Sequence, residues 1–225
     1  MVISTNKVVS SEPSGLLQIP KLPPINDINH PIDLSVVIPT YNESANIAEL
    51  VSKLSYLLDN LIPGQYELIV VDDDSPDCTW EIAQSLMNEY AQLRVIRRTT
   101  ERGLSSAVIR GWQIARGDIL GVIDGDLQHP PSILLQMLPA ALEGNDLVVA
   151  SRHVHGGGVS HWSFLRRFLS RGAQILGLMI LPEVLSRVSD PMSGFFLVRR
   201  KAIANKILNP VGYKIMLEVI ARGDI

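Results

Sequence analysis

Only one cysteine, Cys78, stands among the 225 residues. A lone thiol excludes an internal disulfide and a cysteine-built zinc cage, and it suits a reducing compartment. A basic excess is missing as well: the formal net charge of −3 leaves no electrostatic footprint for a nucleic acid, so no such partner is expected. Long hydrophobic runs are absent, since no stretch reaches the roughly 20 apolar residues that span a bilayer. The nearest, residues 172–182 (GAQILGLMILP), is short and begins beside Arg171; it reads as a buried or an interfacial helix. Before Pro13 there is Lys7 but no continuous apolar run, which argues against a secretory signal. No Gly-x-Gly-x-x-Gly follows the first apolar segment, and a dinucleotide-dependent oxidoreductase loses its main support.

What is present fits a globular chain. With 46% hydrophobic and 19% charged residues it can bury the core of one α/β domain or slightly more. Residues 1–31 carry Pro13, Pro20, Pro23, Pro24 and Pro31 without apolar periodicity, and are expected to form a flexible N-terminal extension ahead of a catalytic domain over 32–225. From Leu34 short apolar runs alternate with helical patterns. LSVVI (34–38), ELIVV (67–71), LRVI (93–96), DILGVI (118–123) and DLVVA (146–150) read as strands. Helices are expected over 44–58, from a start at Ser75-Pro76 (Ser75 as N-cap), over 105–116 with Gly117 closing it, and over 131–142. Continuous rather than alternating apolar strands indicate a mostly parallel, Rossmann-like sheet with helices on both faces.

Ligands of such sheets bind beyond the carboxyl ends of the strands, and polar clusters stand there. Pro39-Thr40-Tyr41-Asn42-Glu43 follows the first strand, Asp72-Asp73-Asp74-Ser75 the second, Asp124-Gly125-Asp126-Leu127-Gln128-His129 the fourth and Ser151-Arg152 the fifth. Asp124 and Asp126, one residue apart across a glycine, can turn to one point and with the Gln128 amide oxygen form a hard site for Mg²⁺ or Mn²⁺. An Asp-x-Asp triplet alone is as well explained by a surface turn; here it follows a wholly apolar strand and precedes Gln-His-Pro-Pro. Three successive carboxylates at 72–74 repel one another unless partnered. One reading makes them a helix cap and solvated neighbours. The other has Asp73 or Asp72 accepting from ring N–H groups of a nucleobase, with Tyr41 stacked on the base or simply packing. Between 152 and 201 eight basic residues face only Glu183 and Asp190, a balance suited to phosphates, an anionic membrane surface or plain solvation.

The segments VVIPTYNE, VVDDDSPDCTW, RGLSSAVIRGW, DGDLQHPP, ASRHVHGGG, SDPMSGFF and NPVGYKIMLEV occur in this order over residues 33–222. In this combination the chain resembles the family-2 glycosyltransferases of GT-A fold, specifically the polyprenyl-phosphate sugar transferases. The resemblance implies that Pro39, Tyr41, Glu43, Val71 and Asp73 hold the nucleoside. It also implies that Asp124, Asp126 and Gln128 hold the metal, with Asp126 beside the donor, and that Arg152 and Arg166 touch phosphates. Cys78 and His155 depart from the pattern without consequence, His155 reading as an exposed loop residue. Gly156-Gly157-Gly158 would hinge a loop that admits the lipid head.

The implied reaction moves a hexose from UDP-glucose or GDP-mannose to a polyprenyl phosphate, with inversion, at the cytoplasmic face of a membrane. A homo-oligomer is a further possibility for the complete protein. Relatives continue past the position of Ile225 with a strand, an Arg- and Lys-containing closing segment and membrane-associated helices, so the chain is expected to be truncated at its C-terminus. Two rivals stay open: a metal-dependent phosphatase, and a non-catalytic nucleotide-sugar binding module.

Overall fold

Seven buried residues in succession, Leu34–Thr40, form β1, and seven more, Tyr66–Asp72, form β2. Alternate side chains of a strand point to opposite faces, so a strand covered on both sides is apolar at nearly every position. The computed structural model describes residues 13–23, 31–151, 190, 193–210 and 212–225. Around the first two strands lie β3 (Leu93–Arg97), β4 (Ile119–Ile123), β5 (Leu147–Val149) and β6 (Phe195–Arg199). They form one sheet in the order β3-β2-β1-β4-β6-β5. The first four run parallel, while β6 is antiparallel to both β4 and β5. The mostly parallel sheet is therefore as expected, with β6 added to the five strands read from sequence.

Among the described residues six helices accompany it: α1 (Ile47–Leu61), α2 (Thr79–Leu86), α3 (Leu104–Ile114), α4 (Leu134–Leu142), α5 (Arg200–Ile203) and α6 (Ile215–Arg222). A 3₁₀ turn over Pro131–Ile133 leads into α4. Leu34, Val36 and Ile38 of β1 meet Leu50, Leu54 and Leu58 of α1, together with Met137 and Leu138 of α4. Val37, from the other face of the same strand, joins Val108 and Trp112 of α3 and Val219 of α6. Each such buried side chain contributes about 1.5–3 kcal/mol relative to exposure. Trp112 adds a T-shaped contact with Phe196, centroids 6.1 Å apart, and donates its indole N–H to the carbonyl of Gly121.

Three local expectations are corrected. α2 begins at Thr79, not at Ser75-Pro76, because the Ser75 N–H and hydroxyl are both taken by the Asp72 carboxylate, and Cys78 turns left-handed (φ 62°) before the helix. Gly117 does not close α3, which ends at Ile114; the glycine is there because a Cβ would come within 2.7 Å of the Ser35 backbone nitrogen. Finally, the stretch read as a flexible extension contains a packed strap. Ile19 is fully buried beside α3 and α5, and Gln18 and Ile19 bridge to Ile207 and Ala204. Leu17 and Ile19 supply apolar contact from a segment too short to show a period.

Candidate active site

A cavity of about 580 Å³ opens where the carboxyl ends of β1, β2 and β4 meet the start of α3. The end of β1 contributes Pro39 and Thr40 and the turn after it Tyr41 and Glu43, the turn after β2 contributes Asp73, and that after β4 contributes Asp124, Gly125 and Asp126. Arg102, Gly103 and Leu104 form the wall at α3, and Tyr213 reaches in from before α6. This is where an open α/β sheet leaves its crevice.

The three consecutive aspartates are sent to three places. Asp72 is fully buried: it accepts from Thr40 Oγ1 (2.7 Å), Ser75 Oγ (2.7 Å) and the Ser75 N–H (2.8 Å), and so joins the ends of β1 and β2. Asp74 turns outward through a left-handed backbone (φ 55°) to Arg97, whose guanidinium lies 3.8 Å over the Trp80 ring. Asp73 alone faces the cavity. Its Oδ1 accepts from Arg98 Nε at 2.6 Å and its Oδ2 from the Gly103 N–H at 2.7 Å. Burial pushes its carboxyl above the usual range, against the stabilising effect of the Gly103 N–H and Arg98. Each carboxylate oxygen has a second lone pair, so Asp73 can still accept from a ligand.

The turn carrying Tyr41 is held by side chains from the segment after β2. Ser75 Oγ accepts the Asn42 N–H (3.0 Å), Thr79 Oγ1 the Glu43 N–H (2.9 Å) and Asp77 Oδ2 the Ser44 N–H (3.0 Å). Tyr41 is left half exposed, with the Arg102 guanidinium 5.7 Å from its ring centroid. An aromatic face beside a cation is a platform for a base or ribose.

On the opposite wall stand Asp124 and Asp126. A Cβ at Gly194 would collide with the Asp124 carboxylate, so the space that carboxylate occupies depends on a glycine from the strand-leading turn of β6. Among the described residues, no three His, Cys, Asp or Glu side chains gather into a metal cage. Two carboxylates with room beside them are nevertheless the donor set that Mg²⁺ or Mn²⁺ takes when a substrate's phosphates complete the shell. The residues present fit such an ion.

Of the residues singled out from sequence, the cavity brings together Pro39, Tyr41, Glu43, Asp73, Asp124 and Asp126. Val71 instead packs in the layer under α3, and Asp72 is committed to the frame. The Gln128 side chain is exposed and does not line the cavity; its backbone N–H donates to Asp126 Oδ1 at 3.0 Å. Arg152, Arg166, His155, the three glycines at 156–158 and the apolar stretch at 176–181 lie outside the described residues. Sequence reading missed Arg102, Gly103, Leu104 and Tyr213 as wall residues, although the segments RGLSSAVIRGW and NPVGYKIMLEV that carry them were among those singled out. Among the described residues no helix is long and apolar enough to cross a membrane.

Residues 35–205 match the model of the family described as glycosyl transferase family 2. The chain is 48% identical over 191 residues to a dolichol-phosphate mannosyltransferase of Pyrococcus furiosus, covering 84% of this chain and 53% of that protein. It is 36% identical to the dolichol-phosphate mannosyltransferase of Saccharomyces cerevisiae, covering 85% of this chain and 71% of that one. Among solved structures, glucosyl-3-phosphoglycerate synthase from Mycobacterium tuberculosis, held with Mn²⁺, UDP-glucose and phosphoglyceric acid, superposes with a TM-score of 0.57 at 25% identity, over 83% of this chain and 63% of that one. The sheet and its covering helices are thus of the GT-A type. The chain spans about half the length of the Pyrococcus relative.

Proposed function

The chain belongs to glycosyl transferase family 2, and from that premise we propose that it moves a hexose from a nucleotide-diphosphate sugar to a polyprenyl phosphate. The observation that carries the reading is the single cavity with Tyr41 and Asp73 on one wall and Asp124 and Asp126 on the other. A nucleoside and a diphosphate need those two kinds of wall. Tyr41 offers a stacking face, and Asp73, fixed by Arg98 and Gly103, accepts from ring N–H groups of the base. Asp124 and Asp126 would hold Mg²⁺ or Mn²⁺, which when bound neutralises charge gathering on the departing nucleoside diphosphate. Arg102, which also lines the cavity, can orient the diphosphate oxygens.

The acceptor phosphate has a second pKa near ~6 and is largely dianionic at neutral pH, so it needs little help from a general base. It needs cations, and Arg152 and Arg166 are assigned to it by forked hydrogen bonds. Attack from the face opposite the departing diphosphate inverts the anomeric carbon, turning an α-linked donor into a β-linked lipid sugar. The protein's share is orientation and a fixed electrostatic field. The names of the relatives favour a mannosyl donor such as GDP-mannose; UDP-glucose, held by the solved neighbour, is the other candidate. A lipid acceptor would put the reaction at a membrane surface, where the excess of basic over acidic residues between 152 and 187 suits anionic headgroups.

The test is a donor panel with a short-chain polyprenyl phosphate and the full-length protein, products being identified by mass. A lipid-linked hexose from one donor, abolished by EDTA and restored by Mg²⁺ or Mn²⁺, is expected. Release of inorganic phosphate without sugar transfer would establish the phosphatase alternative instead, and donor binding with no turnover the binding module.

A further inference from the structure

Charge continues behind Asp73 in a row that the transfer chemistry does not use, two buried arginines with the one-third-exposed Glu101 between them. Arg98, fully buried, holds Asp73 and reaches Glu101 at 3.5 Å. The Glu101 carboxylate is gripped again by Arg110, through Nε at 2.9 Å and through Nη2. Hydrogen bonds from Arg110 hold the Glu101 carboxyl below its ordinary range. The row thus alternates in sign, Asp73, Arg98, Glu101, Arg110, and Arg110 is 2% exposed.

At the far end the row meets the strap. Arg110 donates to the carbonyl of Gly15 at 3.1 Å and to Gln113 Oε1 at 3.0 Å. Gln113 in turn donates to the carbonyls of Leu16 (2.7 Å) and Gln18 (3.2 Å). At the near end the row grips two pieces of the cavity wall. Arg98 Nη2 donates to the Gly103 carbonyl at 3.0 Å, while the Gly103 N–H is spent on Asp73. The wall at 103 and the carboxylate at 73 are therefore fixed by one guanidinium.

Buried charges of this kind are seldom the most stable choice, since apolar residues of equal volume often do as well. What they supply is a defined geometry that fails when one member is removed. We propose that Arg98, Glu101 and Arg110 are positioning residues, a relay through which the seated strap at 15–19 fixes Asp73 and Gly103 for the nucleoside. The inference rests on the nucleotide-sugar reading of the cavity.

Calorimetric titration of this chain with UDP and with GDP, each with Mn²⁺, and separately with inorganic pyrophosphate and Mn²⁺, tests it. Arg110→Met and Glu101→Gln should each weaken the nucleoside diphosphate that the unchanged chain binds by about ten-fold, the scale of energetic coupling through a contiguous network. Pyrophosphate binding should stay within about two-fold, because the relay's hydrogen bonds go to Asp73 and the Gly103 backbone, whereas pyrophosphate depends on the ion at Asp124 and Asp126. Arg110→Lys keeps the charge without the fork and should recover part of the loss. Ser35→Ala, which loosens a hydrogen-bonded cluster at the other end of the sheet, serves as the control: it should lower the melting temperature and leave both affinities alone. Relay variants with unchanged nucleotide affinity overturn the proposal, as does an equal loss in Ser35→Ala or an equal loss toward pyrophosphate. If Glu101→Gln does not fold, Arg110→Lys and Gln113→Ala decide on the same criteria. An unchanged chain that binds neither diphosphate overturns the functional reading itself, and the relay falls with it.

Discussion

At the amino end of the sheet Glu67 is held by Ser35 Oγ, Arg94 Nη1, and both the backbone N–H and Nε of Arg116. At the carboxyl end Asp73 is held by Arg98 and the Gly103 N–H. Both are carboxylates buried against arginines at the edge of the same strand, β2, or one residue beyond it. They differ in closure: the Glu67 side chain is fully buried, while that of Asp73 keeps 9% of its surface open to the cavity. Their acidities part accordingly. Burial opposes ionisation at both; at Glu67 the charges of Arg94 and Arg116 outweigh it and the carboxyl falls below its usual range, whereas at Asp73 burial prevails. A saturated carboxylate ties the sheet together. An unsaturated one, in the same chemical company, remains available to a ligand.

The comparison breaks most visibly at Glu67. Glu67→Gln takes the counter-charge from the partly buried Arg94 and Arg116 at a fully buried position, which should cost about 3 kcal/mol in denaturant unfolding. Nucleoside-diphosphate binding, measured where the variant is still folded, should be unchanged; a loss of affinity would mean the two ends are not separate. At the carboxyl end the opposite split is expected. Asp126→Asn in the full-length protein should lower turnover by ~10²-fold or more while barely moving the melting temperature, as for removal of one preorganised charge-stabilising group.

The smallest effect concerns Asp77, which pins the turn carrying Tyr41. Partial burial opposes its ionisation, but the hydroxyl of Thr79 and the N–H groups of Ser44 and Thr79 hold its carboxyl down at about 2. A depressed folded pKa means stability that is present above the ordinary value of 3.8 and lost as the pH falls toward 2. Asp77→Asn should remove that acid-sensitive part from an unfolding series over this window. With solvent screening its share is below about 1 kcal/mol. An unaltered pH profile would show that the turn is held without the charge.

How much of this could be read from the residues follows from the range of the forces involved. The strands of β1, β2 and β4 were legible because burial on both faces writes an unbroken apolar run. Pro39, Tyr41, Glu43, Asp73, Asp124 and Asp126 were legible as cavity residues because topology alone brings strand ends together. The separate fates of Asp72, Asp73 and Asp74 were not, since they hang on the left-handed turn at Asp74 and on Thr40, Arg97 and Arg98 from other strands. β6 escaped notice because only its first two residues, Phe195 and Phe196, were read, at the end of a family segment, and its antiparallel pairing with β4 is a long-range fact. The strap escaped because its hold is a handful of carbonyls met by Arg110 and Gln113, and carbonyls have no sequence signature.

The place of β6 between β4 and β5 has a consequence for how the molecule is made. β5 pairs with no described strand but β6, and one edge of β4 is also met by β6. Both must therefore wait, during synthesis, for a segment that leaves the ribosome dozens of residues later. Until then β4 exposes an apolar edge of the kind that invites pairing with another chain. The strap waits longer still, for Ile19 and Gln18 dock on Ala204 and Ile207, beyond the last strand. A segment translated before the sheet is thus among the last to be seated, and such non-local closure belongs to slow folding. A nascent chain arrested before residue 195 should be captured by chaperones and cut readily within β5 by protease. Release of the arrest should protect β5 first and the strap afterwards.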